Sequence, residues 1–417
     1  MKIVGPLALC LILSGSVINA NTKYPFNKTV VATADQYTAV DYYNQAIAEN
    51  GYGNNTAAME KINKAIEMKP DYANALSYRG YFYELAKEYD KAIVDYLAAD
   101  KLKPNINGIQ VVTTYAKMGK KQEALAWLEN CFGIEFNRPE MNSVLTNVEL
   151  ESLKGEAKWK EITSKDWYTP FEKLMISAKD KTTAHDLKGA LEVLNKVIQE
   201  NPGRDEGYNA RALNYIYQED FESALKDINK AISLKESSEY YGNRAYIYKH
   251  LEKYSEAMPD YEKAIQLDPE NIIVGDRAFV RFKINAADPG IEADLKKYLS
   301  IYYKDDFNWF FLGTIYYNAT RDAEALNALN KAININNTSA MYYNKRANVL
   351  FGLKYFDKAT DDCNKSIELD PTSGQPYYIR GVISAEQMKK QDACYDFKKA
   401  KDLGYYDENG YYESICK

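Results

Sequence analysis

The stretch SEYYGNRAYIYKHLEKYSEAMPDYEKAIQLDP, residues 238–269, decides the fold of this chain. It carries three small residues at fixed spacing: Ala245, then Ala257 twelve positions later, then Ala264 seven positions after that. Small residues recur at this spacing about every 34 positions, and a period of that length is typical of stacked helical hairpins. Ten units begin near the following residues: Ala39, Ala73, Asn105, Phe171, Asp205, Ser238, Asn271, Asp306, Ala340 and Gly374.

The spacing of small residues has a steric cause. Two antiparallel helices approach closely only where their side chains are small, and bulky apolar side chains must fill the space on either side. Tyr241 and Tyr248 lie four residues before and three residues after Ala245, which places them on one helical face. Pro269 has no backbone N–H and ends the second helix. Each unit therefore predicts a pair of antiparallel helices.

The pattern resembles the tetratricopeptide repeat, whose two helices carry the signature W–L–G–Y–A–F–A–P. The best copies are residues 74–104, 238–269 and 340–371, and ten units in phase cover most of residues 39–404. The resemblance implies an all-α fold, an α-solenoid of about ten hairpins in a right-handed superhelix, with the first helices lining its concave face. The unit at Asn271 has Gly290 and Ile291 where alanine is expected, which predicts a local irregularity.

The N-terminal residues predict export. Met1 and Lys2 precede an apolar run, residues 3–18, and Ala20 is a plausible cleavage position, as in a secretory signal peptide. The run is short for a membrane span and no second apolar stretch partners it, so we expect no spanning segment. The mature chain is expected in the periplasm or outside the cell, with association with the outer membrane as a further alternative. Cys10 follows Leu9 inside the run, which disfavours lipidation.

The composition disfavours catalysis and nucleic-acid binding. The chain has 53 Lys and Arg against 59 Asp and Glu, and no basic stripe suggests a nucleic-acid partner. Its only histidines, His185 and His250, have no second ligand at metal spacing. No glycine-rich phosphate loop or serine nucleophile elbow occurs. We therefore expect no catalytic residue, no metal and no cofactor.

The repeats are interrupted once. Residues 1–20 are the predicted signal peptide, 21–38 a leader, 39–137 a first array of three repeats, 138–170 capping helices, 171–404 a second array of seven repeats and 405–417 a C-terminal cap. Leu153, Trp159 and Ile162 resemble the short helical tail that ends repeat arrays in bacterial members of the family. Such a tail covers apolar surface of the last repeat. The alternative is one continuous array with a decayed repeat.

Six units couple an arginine before the first small residue to an aspartate in the second helix. The two residue types are present together or absent together in all ten units. This coupling predicts charge-assisted bridges that lock each hairpin. The alternative, a row of carboxylates for a ligand, explains the aspartates without the arginines. The pairs are Arg79–Asp95, Arg211–Asp227, Arg244–Asp260, Arg277–Asp294, Arg346–Asp362 and Arg380–Asp396.

A set of aromatic and amide side chains is predicted to face the groove, because the family's first helices line it. The set is Tyr246, Phe279, Phe282, Phe310, Tyr317, Phe351, Tyr378, Asn209, Asn344 and Asn348. Rings give contact area at low entropy cost and amides bond a backbone, which suits an extended peptide or a sugar chain. The alternative is that several of these rings pack between neighbouring first helices.

These observations favour a non-catalytic scaffold or adaptor of the bacterial envelope that binds a protein or peptide in its groove. A glycan-binding accessory protein is the alternative. Some members of the family hold a chaperone's terminal carboxylate with lysines on their first helices. Those lysine positions hold Asn209, Gly242, Phe310 and Asn344 here, so this arrangement is not reproduced.

Four cysteines remain after the predicted cleavage. Cys131 and Cys363 fall on core positions and are expected to be free thiols. Export permits disulfides, and a C-terminal segment that folds back would bring Cys416 over Cys394. We therefore predict a Cys394–Cys416 bridge, with four free thiols as the alternative.

Overall fold

A computed structural model of the chain describes residues 37–135, 138–270, 273–405 and 410–417. These residues form helices joined by short connections, and no strand occurs among them. None of the helices in these ranges combines the length and the apolar character needed to cross a membrane. The predicted signal peptide and residues 21–36 of the leader lie outside the described residues. The chain divides into two compact units, one ending at Tyr303 and the other beginning at Lys304.

The unit that ends at Tyr303 contains seven helical hairpins. Three hairpins come first: α1 (Ala39–Gly51) with α2 (Asn55–Met68), α3 (Ala73–Leu85) with α4 (Tyr89–Leu102), and α5 (Gly108–Lys117) with α6 (Lys121–Gly133). Then follow α7 (Met141–Thr146), a short 3-10 helix (Val148–Leu153) and α8 (Ala157–Ser164). Four hairpins complete the unit: α9 (Pro170–Thr183) with α10 (Leu187–Glu200), α11 (Asp205–Tyr217) with α12 (Phe221–Leu234), α13 (Ser238–His250) with α14 (Tyr254–Leu267), and α15 (Val274–Ile284) with α16 (Gly290–Ile301).

The unit that begins at Lys304 contains three hairpins and a terminal turn. The hairpins are α17 (Asp306–Asn318) with α18 (Asp322–Ile335), α19 (Ala340–Gly352) with α20 (Phe356–Leu369), and α21 (Gly374–Glu386) with α22 (Lys390–Asp402). A π-helical turn, Tyr412–Cys416, follows them. The described residues thus contain ten hairpins, and the predicted all-α solenoid of hairpins is confirmed.

The small residues lie where the two helices of a hairpin meet. A Cβ atom built on Gly80 would lie 2.7 Å from ring carbons of Tyr96, and one on Gly381 would lie 2.8 Å from ring carbons of Phe397. Real Cβ atoms do not approach neighbours this closely, so the facing ring fills the space that glycine leaves. The small residues recur in the sequence because each hairpin repeats this close contact between its two helices.

Nine of the ten hairpins turn through one residue in the left-handed region. These residues are Gly53, Lys87, Gly119, His185, Glu219, Glu252, Thr320, Lys354 and Met388, with φ between 56° and 81°. The turn from α15 to α16 contains no such residue, although residues 285–289 are all described. The irregularity expected in the unit at Asn271 is therefore present, and it lies in this turn.

Met388 gives a prediction about these turns. Its φ is 61° and it is 93% exposed. Packing of the side chain therefore does little to offset the cost of this backbone conformation. We expect Met388→Gly to raise the free energy of unfolding by about 0.5–1 kcal/mol, because glycine adopts this conformation without a Cβ clash. Urea unfolding followed by circular dichroism measures it. The control Gly119→Ala, at φ 74°, should lower stability, and a destabilised Met388→Gly variant would contradict the prediction.

All six predicted arginine–aspartate bridges are formed. In the hairpin of α13 and α14, Arg244 Nε and Nη2 each donate to one Asp260 carboxylate oxygen at 2.7 Å. The aspartates are nearly buried, as Asp260 at 5% exposure shows, while the arginine side chains keep some contact with solvent. The predicted interpretation as a hairpin lock is therefore supported by geometry, and the aspartates are already engaged by cations.

Five of these arginines also bond an asparagine that the sequence reasoning missed. The asparagine lies on the second helix of the preceding hairpin, two residues before its third small residue, so the signal was present in the sequence. Arg244 Nη1 donates to Asn229 Oδ1 at 2.8 Å, and one guanidinium thus links two hairpins. The other pairs are Arg79–Asn63, Arg211–Asn195, Arg346–Asn330 and Arg380–Asn364.

The helices between residues 138 and 170 cover the third hairpin. Leu150, Leu153, Trp159 and Ile162 are buried in the same apolar cluster as Phe132 of α6. This packing is what the predicted capping tail requires. The division into compact units falls at Tyr303, however, and the separation into two arrays at residues 138–170 stays a prediction.

The C-terminal end folds back onto α21 and α22. Tyr411, Tyr412 and Ile415 pack against Val382 and Phe397. The Cys394 and Cys416 sulfur atoms lie 1.99 Å apart, whereas Cys131 and Cys363 are buried free thiols.

The cysteines give a second prediction. Burial raises the pKa of the Cys131 and Cys363 thiols to about 12, so their thiolates are scarce near neutral pH. Iodoacetamide added to the native, unreduced protein should modify none of the four described cysteines, and reduction should expose Cys394 and Cys416 alone. Loss of the bridge should lower stability by about 3 kcal/mol. Peptide mapping decides this, and Cys416 alkylated without reductant would contradict it.

Candidate functional site

The inner side of each unit is the side of the first helices. Successive first helices contact each other: α11 with α13 in one unit, and α17 with α19 and α19 with α21 in the other. No successive second helices in the described ranges contact each other as extensively. A bent stack is more crowded on its concave side, so the first helices line that side in both units.

Asn209, on α11, is held in a polar network in the unit that ends at Tyr303. Its amide Nδ2 donates to Glu239 Oε1 at 3.1 Å, and its Oδ1 accepts from Asn243 Nδ2 at 3.0 Å. Asn209 is only 8% exposed. Its hydrogen bonds therefore join α11 to α13, and a ligand would have to displace them.

The three predicted aromatic residues of this unit are half-buried. The Tyr246 ring lies 4.3 Å from the His250 ring, and Phe279 meets Tyr254 edge-on at 6.3 Å. Phe282 is also half-buried. Each ring therefore keeps part of its surface open, and partner binding by these residues remains a prediction.

In the unit that begins at Lys304, three of the four predicted rings are engaged in packing. Phe310 is 7% exposed and stacks on Tyr342, with ring centres 5.0 Å apart. The ring centre of Tyr378 lies 5.7 Å from that of Phe397, and the ring centre of Phe351 lies 5.9 Å from that of Phe356. Of these three ring contacts, that of Phe310 joins neighbouring first helices, as in the alternative, whereas those of Phe351 and Tyr378 lie within their own hairpins.

The two amides predicted on α19 lie side by side. Asn344 Nδ2 donates to Gln375 Oε1 at 2.7 Å. Asn348 Nδ2 donates to the backbone carbonyl oxygen of Asn344 at 3.0 Å. The Asn344 Oδ1 atom is buried and accepts no hydrogen bond within the described part of the chain. A buried acceptor without a donor is unfavourable, so this amide would gain free energy from an N–H group that reaches it.

Lys345 is a functional candidate that the sequence reasoning missed. Its Nζ lies 5.3 Å from the ring centre of Tyr317, on the neighbouring first helix α17. No carboxylate of the described residues pairs with this ammonium, and burial lowers the pKa of Lys345. The Thr314 hydroxyl, one turn before Tyr317, is also buried without a hydrogen-bond partner in the described ranges. The sequence signal is a lysine directly after Asn344 on a first helix.

The described residues offer few other groups that could form a metal or catalytic site. No group of three or more His, Cys, Asp or Glu side chains within them could hold a metal ion. His185 lies in the turn between α9 and α10, and His250 ends α13, so the two are in different hairpins. Burial lowers the pKa of His250. Lys345, Asn344, Asn348, Thr314 and Tyr317 are accordingly the candidate site of the second unit.

Family models described as the tetratricopeptide repeat match residues 43–105, 205–238, 238–271, 308–339 and 340–373. Each matched segment coincides with hairpins whose bounds are given above. The chain is thus a tetratricopeptide repeat protein. Proteins of this class are generally non-catalytic scaffolds for protein–protein interaction.

Individual relatives match over short segments. The chain is 34% identical over 86 residues to the small glutamine-rich tetratricopeptide repeat-containing protein 2 of Saccharomyces cerevisiae, covering 20% of this chain and 25% of that protein. It is 33% identical over 87 residues to the TPR repeat-containing thioredoxin TDX of Arabidopsis thaliana, covering 21% and 23%. The chain thus spans about a quarter of the length of these relatives.

Two solved structures are also similar. One is a tetratricopeptide repeat protein from Parabacteroides merdae, at 22% identity and a TM-score of 0.42, covering 59% of this chain and 96% of that chain. The other is the C-terminal part of a TPR repeat-containing protein from Cytophaga hutchinsonii, at 18% identity and a TM-score of 0.46, covering 57% and 96%.

Proposed function

We propose that this protein is a non-catalytic scaffold that binds an extended segment of a partner protein on the inner face of its first helices. The observation that carries the proposal is Lys345, whose ammonium has no carboxylate partner among the described residues and lies over the Tyr317 ring. A cation held in this way favours an anionic group. The Oδ1 atom of the preceding residue, Asn344, is buried without a donor among the described residues, and a backbone N–H of a bound segment would satisfy it. A peptide with an acidic group supplies both.

Glycan binding has less support. Sugar recognition by aromatic side chains needs open ring faces. In the unit that begins at Lys304, the rings of Phe310, Phe351 and Tyr378 are engaged with other rings, and in the other unit the predicted rings are half-buried. Binding to a glycan array in place of a protein adduct would restore that alternative.

The partner face can be tested by photo-cross-linking. A benzophenone amino acid replaces Asn348 on the inner face or, as a matched control, Asp361, which is exposed on the second helix α20 of the same hairpin. Irradiation in a cell-envelope extract should give a protein adduct at Asn348 and none at Asp361. Adducts at Asp361 alone would contradict binding on the inner face.

The location of the protein is part of the proposal. A charged start, an apolar run and Ala20 support export through a cleaved signal peptide, to the periplasm or beyond the cell. The mature protein should then begin at Asn21, which N-terminal sequencing of the protein purified from its natural host measures. An intact Met1 on the abundant form would contradict export by cleavage.

A further inference from the structure

The first two hairpins of the unit that ends at Tyr303 contact the last part of the same unit. Asn74, on α3, donates from Nδ2 to Glu270 Oε2 at 2.6 Å across 196 residues of sequence. Asn44, on α1, donates from Nδ2 to the Glu270 backbone carbonyl at 3.4 Å. Burial, and after it the nearby charge of Glu270, raise the pKa of Tyr43 and of Tyr72.

A second group of contacts joins α1 to α16 and the residues after it. Lys297 Nζ lies 3.5 Å from Asp41 Oδ1. The Tyr303 ring lies 5.0 Å from the Tyr52 ring, and its hydroxyl donates to Glu49 Oε2 at 3.3 Å. The first hairpin therefore touches the seventh, and the array of this unit closes on itself.

The Glu270 contact lies on the inner face. Asn44 is the sixth residue of α1, as Lys345 is the sixth residue of α19, and Asn74 is the second residue of α3, as Gln375 is of α21. Gln375 bonds Asn344 in the candidate site described above. By this equivalence, Glu270 contacts the positions in the first two hairpins that correspond to Lys345 and Gln375 in the later ones.

The closing contacts are weak relative to those between neighbouring hairpins. They include amide hydrogen bonds, the hydroxyl bond from Tyr303 to Glu49, a partly exposed ion pair at 3.5 Å and a pair of rings. Such polar contacts contribute little net free energy, since water replaces them when they open. The neighbouring helices α1, α2 and α3 instead share a buried apolar cluster around Ile62. Opening these contacts would therefore not require a hairpin to unfold.

We propose that Glu270 is a tethered occupant that closes the inner face of the first two hairpins, and that a partner reaches this face only when the contact with Asn44 and Asn74 opens. The second half of this proposal rests on the proposed function. The first half concerns the chain alone.

Hydrogen exchange measured by mass spectrometry on the full chain tests the closure. Glu270→Ala and, separately, Asn74→Ala should speed exchange in residues 39–52 and 290–303 and leave α11 to α14 unchanged. The matched control is Glu239→Ala, which removes the bond to Asn209 between neighbouring first helices and should leave residues 39–52 unchanged. If the exchange rate at residues 39–52 is unchanged in both Glu270→Ala and Asn74→Ala, the proposed closure is overturned.

A peptide copying residues 265–274 tests the occupied site. It should bind the Glu270→Ala chain at least about tenfold more tightly than the wild-type chain, because the tethered segment no longer competes. A peptide with alanine in place of Glu270, or the Asn74→Ala/Glu270→Ala chain, should lose this gain. No gain for the Glu270→Ala chain would overturn the occupied site, and this result does not depend on any partner of the proposed scaffold.

Discussion

Replacing Arg244 with leucine should lower the free energy of unfolding by about 3 kcal/mol. The substitution leaves Asp260, 5% exposed, as a nearly buried carboxylate that has lost both guanidinium bonds. It also removes the bond to Asn229 of the preceding hairpin. Urea unfolding followed by circular dichroism measures the loss.

The matched control is Arg204→Leu, because Arg204 pairs with Glu206 in an exposed ion pair and should contribute at most about 1 kcal/mol. Removing both charges in Arg244→Leu/Asp260→Leu should recover much of the loss, since no unpaired carboxylate remains. A double-mutant cycle with additive effects would contradict the lock.

Gly80→Val should lower the free energy of unfolding by up to about 3 kcal/mol, by forcing the helices of its hairpin apart. Its Cβ would lie 2.7 Å from the Tyr96 ring, which is 1% exposed and whose hydroxyl bonds Glu84 at 2.8 Å. Because the ring is buried and its hydroxyl is hydrogen-bonded, it cannot move aside without disturbing its neighbours. Thermal unfolding measures the loss.

Gly133→Val is the control for this change. Gly133 ends α6, and a Cβ there meets nothing within 4 Å, so the effect should stay within about 0.5 kcal/mol. Equal losses in the two variants would show that valine in the helix, rather than contact with Tyr96, causes the effect.

The period of small residues predicts the hairpins because it reflects contacts between neighbours in sequence. The expected starts at Asp205, Ser238 and Asp306 coincide with the first residues of α11, α13 and α17. The start expected near Asn105 is displaced to Gly108, because Asn105 takes a φ of 60° and donates to the Cys131 carbonyl at 3.1 Å. Side-chain bonds of this kind compete with the helix and follow no period.

The candidate site was only partly predictable. Asn344 and Asn348 were predicted from their position on a first helix, but Lys345 lies about 100° further round that helix and falls outside the pattern that these two amides define. The contact between Asn74 and Glu270 could not be predicted, since it depends on the small rotation accumulated over several hairpins. Nor does the sequence pattern show that Phe310 stacks on Tyr342, because core and groove rings share the same spacing.

The affinity of the cross-linked partner for Lys345 variants tests the central claim most directly. Calorimetric titration compares the wild type with Lys345→Ala and with Lys358→Ala, an exposed lysine on the second helix of the same hairpin. We expect Lys345→Ala to weaken binding at least about tenfold at an unchanged melting temperature, because the partner's anionic group loses its cation. Lys358→Ala should bind as the wild type does. Equal affinities for all three proteins would contradict partner binding at Lys345.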